Sequence, residues 1–343
     1  MNEAIHSTSD WMEVQMRKLL FVVLLPVALN AAPTGYHILS EIKIGGEGGW
    51  DYLTVDSAAR RLYVSHNSHV VVVDIDANKV VGDIPDTPGV HGIAIATALG
   101  KGFISNGRGN NVTIFDLKTL KATGTVPTGE NPDDITFDAG SNRVFVFNGR
   151  SKSATVIDAK AGTVAATITL PGKPEFAISD GKGHIYNNIE DTSELVEIDA
   201  AKAAVTKKWS LAPCDGPSGM AYDPKNRRLF SVCSNRVMAV SDPDSGKVIA
   251  SPAIGAGSDG VAFDPDAGIA FSSNGDGTMT AVGSNGGKYE PLENIATERG
   301  ARTITLDPKT HRLYLPTAKT APSTGGGRAS YVPDSFKVLV VGK

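Results

Sequence analysis

A short segment, apolar at its centre and most often closed by aspartate, returns seven times along the chain, at residues 52–56, 92–96, 134–138, 175–179, 219–223, 260–264 and 303–307. The closing positions lie 40 to 44 residues apart. After each copy comes a second apolar run, such as Arg61-Leu62-Tyr63-Val64, Arg143-Val144-Phe145-Val146 or Arg312-Leu313-Tyr314-Leu315. A third run ends in an acidic turn, as at Val72-Val73-Asp74, Ile114-Phe115-Asp116 and Val156-Ile157-Asp158. A fourth is more polar, as at Lys79-Val80-Val81-Gly82-Asp83-Ile84. Four strands in about 40–50 residues make one blade of a β-propeller, and a blade buries its faces only against neighbouring blades. The expected fold is therefore all-β, a seven-bladed β-propeller.

The two ends of the pattern predict how the ring closes. Residues 36–45 read as a fourth strand with no blade of its own, and residues 336–341 as a third strand with no fourth after it. Pairing the two lets the N-terminal strand complete the C-terminal blade and leaves no raw sheet edge at the seam. The stretch 318–334, with Gly325-Gly326-Gly327, becomes a long loop inside that last blade. The 37 glycines among 343 residues fit many strands joined by tight turns.

The runs Tyr63-Val64-Ser65-His66-Asn67, Phe103-Ile104-Ser105-Asn106 and Phe145-Val146-Phe147-Asn148 stand where YVTN-type repeat proteins carry their namesake motif. The chain resembles that family over residues 36–343, and within it the YncE-like periplasmic seven-bladed propellers. The resemblance implies the fold. It implies little about activity, because propellers host binding modules, lactonases, dehydrogenase subunits and scaffolds alike. DNA binding has been suggested within the family, and the resemblance carries that suggestion to this chain.

The first residues read as an address. Arg17-Lys18 precedes an apolar run from Leu19 to Leu29, and small residues follow at Ala31 and Ala32. This is the layout of a secretory signal peptide, too short for a transmembrane span. Residues 1–32 are assigned to it, with 33–343 as a single propeller domain. Glu3, Asp10 and Glu13 are foreign to a signal n-region, so residues 1–15 read as an over-called start with Met16 as the true one. The expected location is periplasmic or secreted, with no transmembrane span in the mature protein. Removing the segment leaves 31 basic against 34 acidic residues. That balance supplies no general pull toward nucleic acid or an anionic membrane.

Inner strands of a propeller begin around one mouth of the axial channel, and second strands end there. The repeat therefore predicts a ring at that mouth. Inner-strand starts contribute Asp51, His91, Asp133, Glu175, Ser218, Asp259 and Arg302. Second-strand ends contribute His66, Asn106, Asn148, Asn188, Cys233, Ser273 and Thr317. Four carboxylates in the first set suit a hard divalent cation. His66, His91 and Cys233 would suit a transition metal. Carboxylates beside a histidine would equally suit acid–base hydrolysis of a lactone or ester. Solvated polar residues bonded to one another are the plain alternative. His66-Asn67-Ser68-His69 sits in a strand-to-strand turn, where spacing alone is not expected to converge two imidazoles.

Cys214 and Cys233 both fall in the fifth blade and read as a disulfide, given an oxidising compartment. Asn106-Gly107-Arg108 and Asn148-Gly149-Arg150 read as hairpin turns in which Asn-Gly supplies positive φ and the arginines are solvated. Aromatic residues for base stacking are not clustered beside them, which speaks against nucleic acid. Taken together, the sequence predicts an exported monomeric binding or scaffold protein whose partner is a small molecule, a metal ion or another envelope protein. A lactonase-like hydrolase and a metal- or redox-handling propeller are the alternatives.

Overall fold

The computed structural model describes residues 34–321 and 330–343. The signal-peptide reading and the triglycine of the last-blade loop lie outside the described residues. Seven four-stranded antiparallel sheets succeed one another along the chain. Blade 1 runs Leu53–Asp56, Arg61–His66, His69–Asp74 and Lys79–Ile84. Blades 2 to 6 repeat the order, starting at Val90–Ala96, Pro132–Asp138, Pro174–Ser179, Pro217–Asp223 and Ser258–Asp264. Blade 7 holds Thr305–Asp307, Arg312–Thr317 and Lys337–Gly342, and its outer strand is the N-terminal His37–Lys43. The closure expected from the sequence is present, with Ile42 opposite Val338 and fully buried. A two-stranded pair, Thr320–Ala321 with Ser330–Tyr331, lies beside that blade, with Tyr331 packed on Trp50 at 4.9 Å between ring centroids.

Why each blade takes this form is visible in its residues. Second and third strands are covered on both faces, so they read as unbroken apolar runs: Leu62, Tyr63 and Val64 are fully buried, as are Val70 and Val72. Each such side chain contributes about 1.5–3 kcal/mol of burial. Outer strands keep one wet face and are mostly exposed, as at Lys79–Ile84 and Thr163–Thr169. In blades 1 to 6 the ladder between third and fourth strands shifts register near its middle, for example at Val72/Val73 and Val156/Ile157. A bulge there raises the local twist that a propeller blade needs.

The recurring aspartates close turns. Asp56 accepts the Ala59 N–H at 3.0 Å, Asp138 that of Ser141 at 2.7 Å and Asp223 that of Lys225 at 2.9 Å. In blades 1 to 3 the basic residue that opens the second strand reaches the next blade. Arg143 donates to the Ala200 and Ala201 carbonyls at 2.9 and 2.8 Å, and Lys101 to that of Lys160 at 2.7 Å. In blade 4 the first turn is one residue shorter than in its neighbours. Its closing residue is Asp180, which accepts the Lys182 and His184 N–H groups. Ser179, expected to close the segment, instead donates to Asp138 of blade 3 at 2.6 Å. The shorter turn is what puts Glu175 level with Asp133.

A belt of hydrogen bonds runs through all seven seams near one mouth. Thr303 Oγ1 donates to the Asp51 carbonyl at 2.8 Å, and Tyr52 N–H to that of His91 at 3.3 Å. Ser105 donates to the Asp133 carbonyl, and the Asp134 carboxyl accepts the Ala177 N–H at 2.8 Å. Asn188 Nδ2 donates to the Ser218 carbonyl at 2.8 Å and Ser218 Oγ to that of Ser258 at 3.4 Å. The Asp259 N–H reaches the Arg302 carbonyl at 3.3 Å and closes the circuit.

Candidate metal centre at one channel mouth

The belt holds the first residues of the inner strands side by side, and their side chains meet above it. His91 Nδ1 lies 2.5 Å from Asp51 Oδ2 and 3.5 Å from Asp133 Oδ1. One ligand atom from each of Asp51, His91 and Asp133 falls within 4.8 Å of the other two. On the other side of Asp51 stands Arg302, with Nη2 at 3.8 Å. Arg302 Nε donates to Asp259 Oδ2 at 2.7 Å. Glu175 is paired at 2.6 Å with Lys173, whose ammonium also meets Glu190. Ser218 bonds to backbone and stays out of the charge cluster.

The electrostatics follow from crowding carboxylates into a half-dry mouth. Burial pushes Asp133 up strongly, and the charges of Asp51 and Asp259 add to it against the opposing pull of His91 and Lys173. Glu175 is raised for the same first reason, with Asp133 adding to the effect. For His91 burial acts downward, but the Asp51 hydrogen bond and the charges of Asp133, Asp51 and Glu175 outweigh it and push the imidazole up to about 9. Asp134, directly behind Asp133, is buried and held well above the carboxylate range by burial first. Asp133 Oδ1 is buried and makes no hydrogen bond.

Tyr52 and Phe176 pack edge to face with centroids 5.3 Å apart behind this cluster. Beyond them the axis holds a cavity of about 640 Å³ lined by apolar residues that include Val55, Ile95, Phe137 and Phe263. Thr54, Asp56, Ser57, Asp134 and Thr136 add polar groups to its wall.

The inner-strand set expected from sequence thus converges in its charged members. The second-strand set does not. Asn106 and Asn148 are fully buried and turn away from the mouth into their own blades. Asn106 Nδ2 donates to Asn111 and Thr113, and Asn148 Nδ2 to Ser153 and Thr155. In blades 4 and 6 the strand ends one residue later than expected, at Ile189 and Asn274. His66 is not in the cluster. It is fully buried and stacks on Phe336 with centroids 4.3 Å apart. Cys233 is no metal ligand here, because it is bonded to Cys214, with Cα atoms 5.5 Å apart. The reading of His66, His91 and Cys233 as one metal or redox site therefore fails, while the disulfide reading holds.

Several participants had no repeat signal. Lys173 and Glu190 lie in loops of blade 4, and Tyr52 hides inside the repeat itself. Gly107 has a role the sequence did not suggest. Positive φ in these hairpins falls on Asn110 and Lys152, not on Gly107 or Gly149. Gly107 is required by space, since a Cβ there would lie 2.6 Å from His91 Nε2. With Nε2 against that glycine, His91 presents Nδ1 to the carboxylates.

No protein-family model and no curated protein matches the chain by sequence. Solved structures do match in shape. Hydrazine synthase of Kuenenia stuttgartiensis superposes with a TM-score of 0.69 at 16% identity, covering 83% of this chain and 95% of its own. U3-55K superposes with a TM-score of 0.71 at 9% identity, covering 90% of this chain and 99% of its own. At such identities the likeness is one of fold alone.

Proposed function

We propose that this protein is an exported propeller of the YncE-like, YVTN-repeat kind that works by binding, and that its charged mouth holds one divalent cation. The observation that carries this reading is the convergence of Asp51, His91 and Asp133, with the buried Asp133 Oδ1 left without a hydrogen-bond partner. Two carboxylates and one imidazole form a mixed oxygen and nitrogen set. Calcium takes about six to eight oxygen ligands, so this set suits a first-row ion such as Mn²⁺ or Zn²⁺ better. The cation would replace the proton that burial favours on the Asp133 carboxyl, and binding would release it. The Cys214–Cys233 disulfide supports export, because such bonds persist in oxidising compartments.

Calorimetric titration of chelator-stripped protein with Mn²⁺ tests the reading. One ion per chain is expected, with Asp133→Asn and His91→Ala each lowering affinity at least tenfold while thermal unfolding shows an intact fold. Unchanged Mn²⁺ binding in both variants refutes it. A second reading, lactone or ester hydrolysis, draws on the raised Asp133 carboxyl beside His91, which would provide an acid and a base at neutral pH. It requires that Asp133→Asn abolish turnover of a lactone substrate by protein kept free of metal.

A further inference from the structure

We infer that His66 and His69 form a second metal site, separate from the channel mouth and suited to a single Cu²⁺, Ni²⁺ or Zn²⁺ ion. Spacing alone gives no reason for two imidazoles in a turn to converge. The hairpin supplies one. Only Asn67 and Ser68 separate the two strands, and Asn67 has φ 55°, the left-handed conformation such tight turns need. His66 and His69 are thereby the directly opposed pair that closes the hairpin. Opposed residues of an antiparallel pair project from the same face.

The result is close approach of ring nitrogens. His66 Nδ1 and His69 Nε2 are 3.1 Å apart. Two nitrogens bound to one ion at about 2.0–2.1 Å are separated by about 2.9 Å at a right angle and about 3.4 Å at the tetrahedral angle. The observed separation falls between these values. The other nitrogen of His69, Nδ1, is held by the Asp83 carboxylate of the outer strand of blade 1. A carboxylate behind a histidine fixes the tautomer, leaving Nε2 as a bare lone pair aimed at His66, and it raises ligand basicity.

His66 is held as firmly from its other side. Its ring lies flat on Phe336 with an interplanar angle of 17°. Its Nε2 is buried with no hydrogen-bond partner. Without an ion the two facing nitrogens share one proton as a hydrogen bond, and a cation between them displaces that proton. Water reaches the pair from the His69 side, where His69 and Asp83 border an open hollow of about 540 Å³ with Ser68 and Asp86. Soft sulfur is not involved, and an imidazole pair ranks Cu²⁺ above Ni²⁺ and Zn²⁺.

The test uses the full chain carrying His91→Ala, so that the mouth site is removed and the outcome does not depend on the reading proposed for it. Chelator-stripped protein is titrated with Cu²⁺ and followed by electron paramagnetic resonance and by calorimetry. One equivalent is expected, with nitrogen splitting from two imidazoles. Adding His69→Gln, at a half-exposed position, should lower affinity at least a hundredfold and leave at most one coupled nitrogen. Adding Asp83→Asn should keep both nitrogens and weaken binding by about ten- to a hundredfold. Thermal unfolding of the metal-free variants checks that each is folded, and Asp83→Asn decides the matter if His69→Gln is not. Absence of a two-nitrogen Cu²⁺ signal in the His91→Ala protein overturns the inference. So does a signal that survives His69→Gln unchanged, or Asp83→Asn binding as tightly as the parent.

Discussion

Raising the pH should weaken the protein specifically through His91. Its imidazole is pushed up to about 9 in the folded protein, against 6.5 for the free side chain. A group whose folded pKa is raised contributes all its stability below the unfolded value and loses it as pH rises through the folded value. The window is therefore from about 6.5 to 9. At 1.36 kcal/mol per unit the full shift is worth at most about 3 kcal/mol, less what solvent and salt screen at a ring partly open to water. The assay is urea unfolding in the presence of chelator at pH 6 and pH 10, for the parent and for His91→Gln. The parent should lose about 2–3 kcal/mol more between the two pH values than the variant does. Charging of Asp133 acts in the same direction, since burial raises its folded pKa as well, and loss of the His91 charge raises it further in the variant, so Asp133 narrows the difference between the two proteins. Equal losses in parent and variant would refute the idea that the Asp51–His91–Asp133 contact stores protonation energy.

Gly107→Ala should weaken Mn²⁺ binding at least tenfold without unfolding the chain, because the new Cβ would lie 2.6 Å from His91 Nε2 and tilt the ring off its carboxylates. Calorimetry beside circular dichroism checks this, and parent-like affinity would show that His91 orientation is set elsewhere. Cys214→Ala should cost about 3 kcal/mol, the loop-closure value for a bridge across a sequence separation of 19. It should lower the melting temperature of oxidised protein by several degrees, and reducing agent should bring the parent down to match.

The fold was legible because a propeller states its solution seven times. A single copy such as Arg143–Asn148 is only a strand, but its recurrence demands neighbours on both sides, and the unmatched strands at the two ends demand each other. What escaped was local backbone arithmetic. Blade 4 has one residue fewer in its first turn, and that choice belongs to Asp180 and the two N–H groups it accepts. Asn106 and Asn148 were placed at the mouth because their strands end there. Which way a side chain turns at a strand end depends on partners in the next strand, here Thr113 and Thr155. The His66–His69 pair was readable in principle. Its two-residue turn is plain in the sequence, and cross-strand opposition follows once that turn is accepted.

The candidate site was legible for a different reason, and it lies in the topology of a closed ring. Residues some 40 positions apart in sequence become neighbours in space, so the order of charges along the chain is their order around the mouth. Read in that circle, Asp51, His91 and Asp133 come in succession, and Asp259, Arg302 and Asp51 follow across the seam. Each cation is flanked by two carboxylates, as the contacts of His91 and Arg302 show. Glu175 has no cation next to it in the ring, and its partner Lys173 comes from the preceding loop. Ser218 carries no charge at all. It leaves one sector of the ring, between Glu175 and Asp259, without a charged inner-strand residue, and variation at that position should alter what approaches the mouth more than how the propeller holds together.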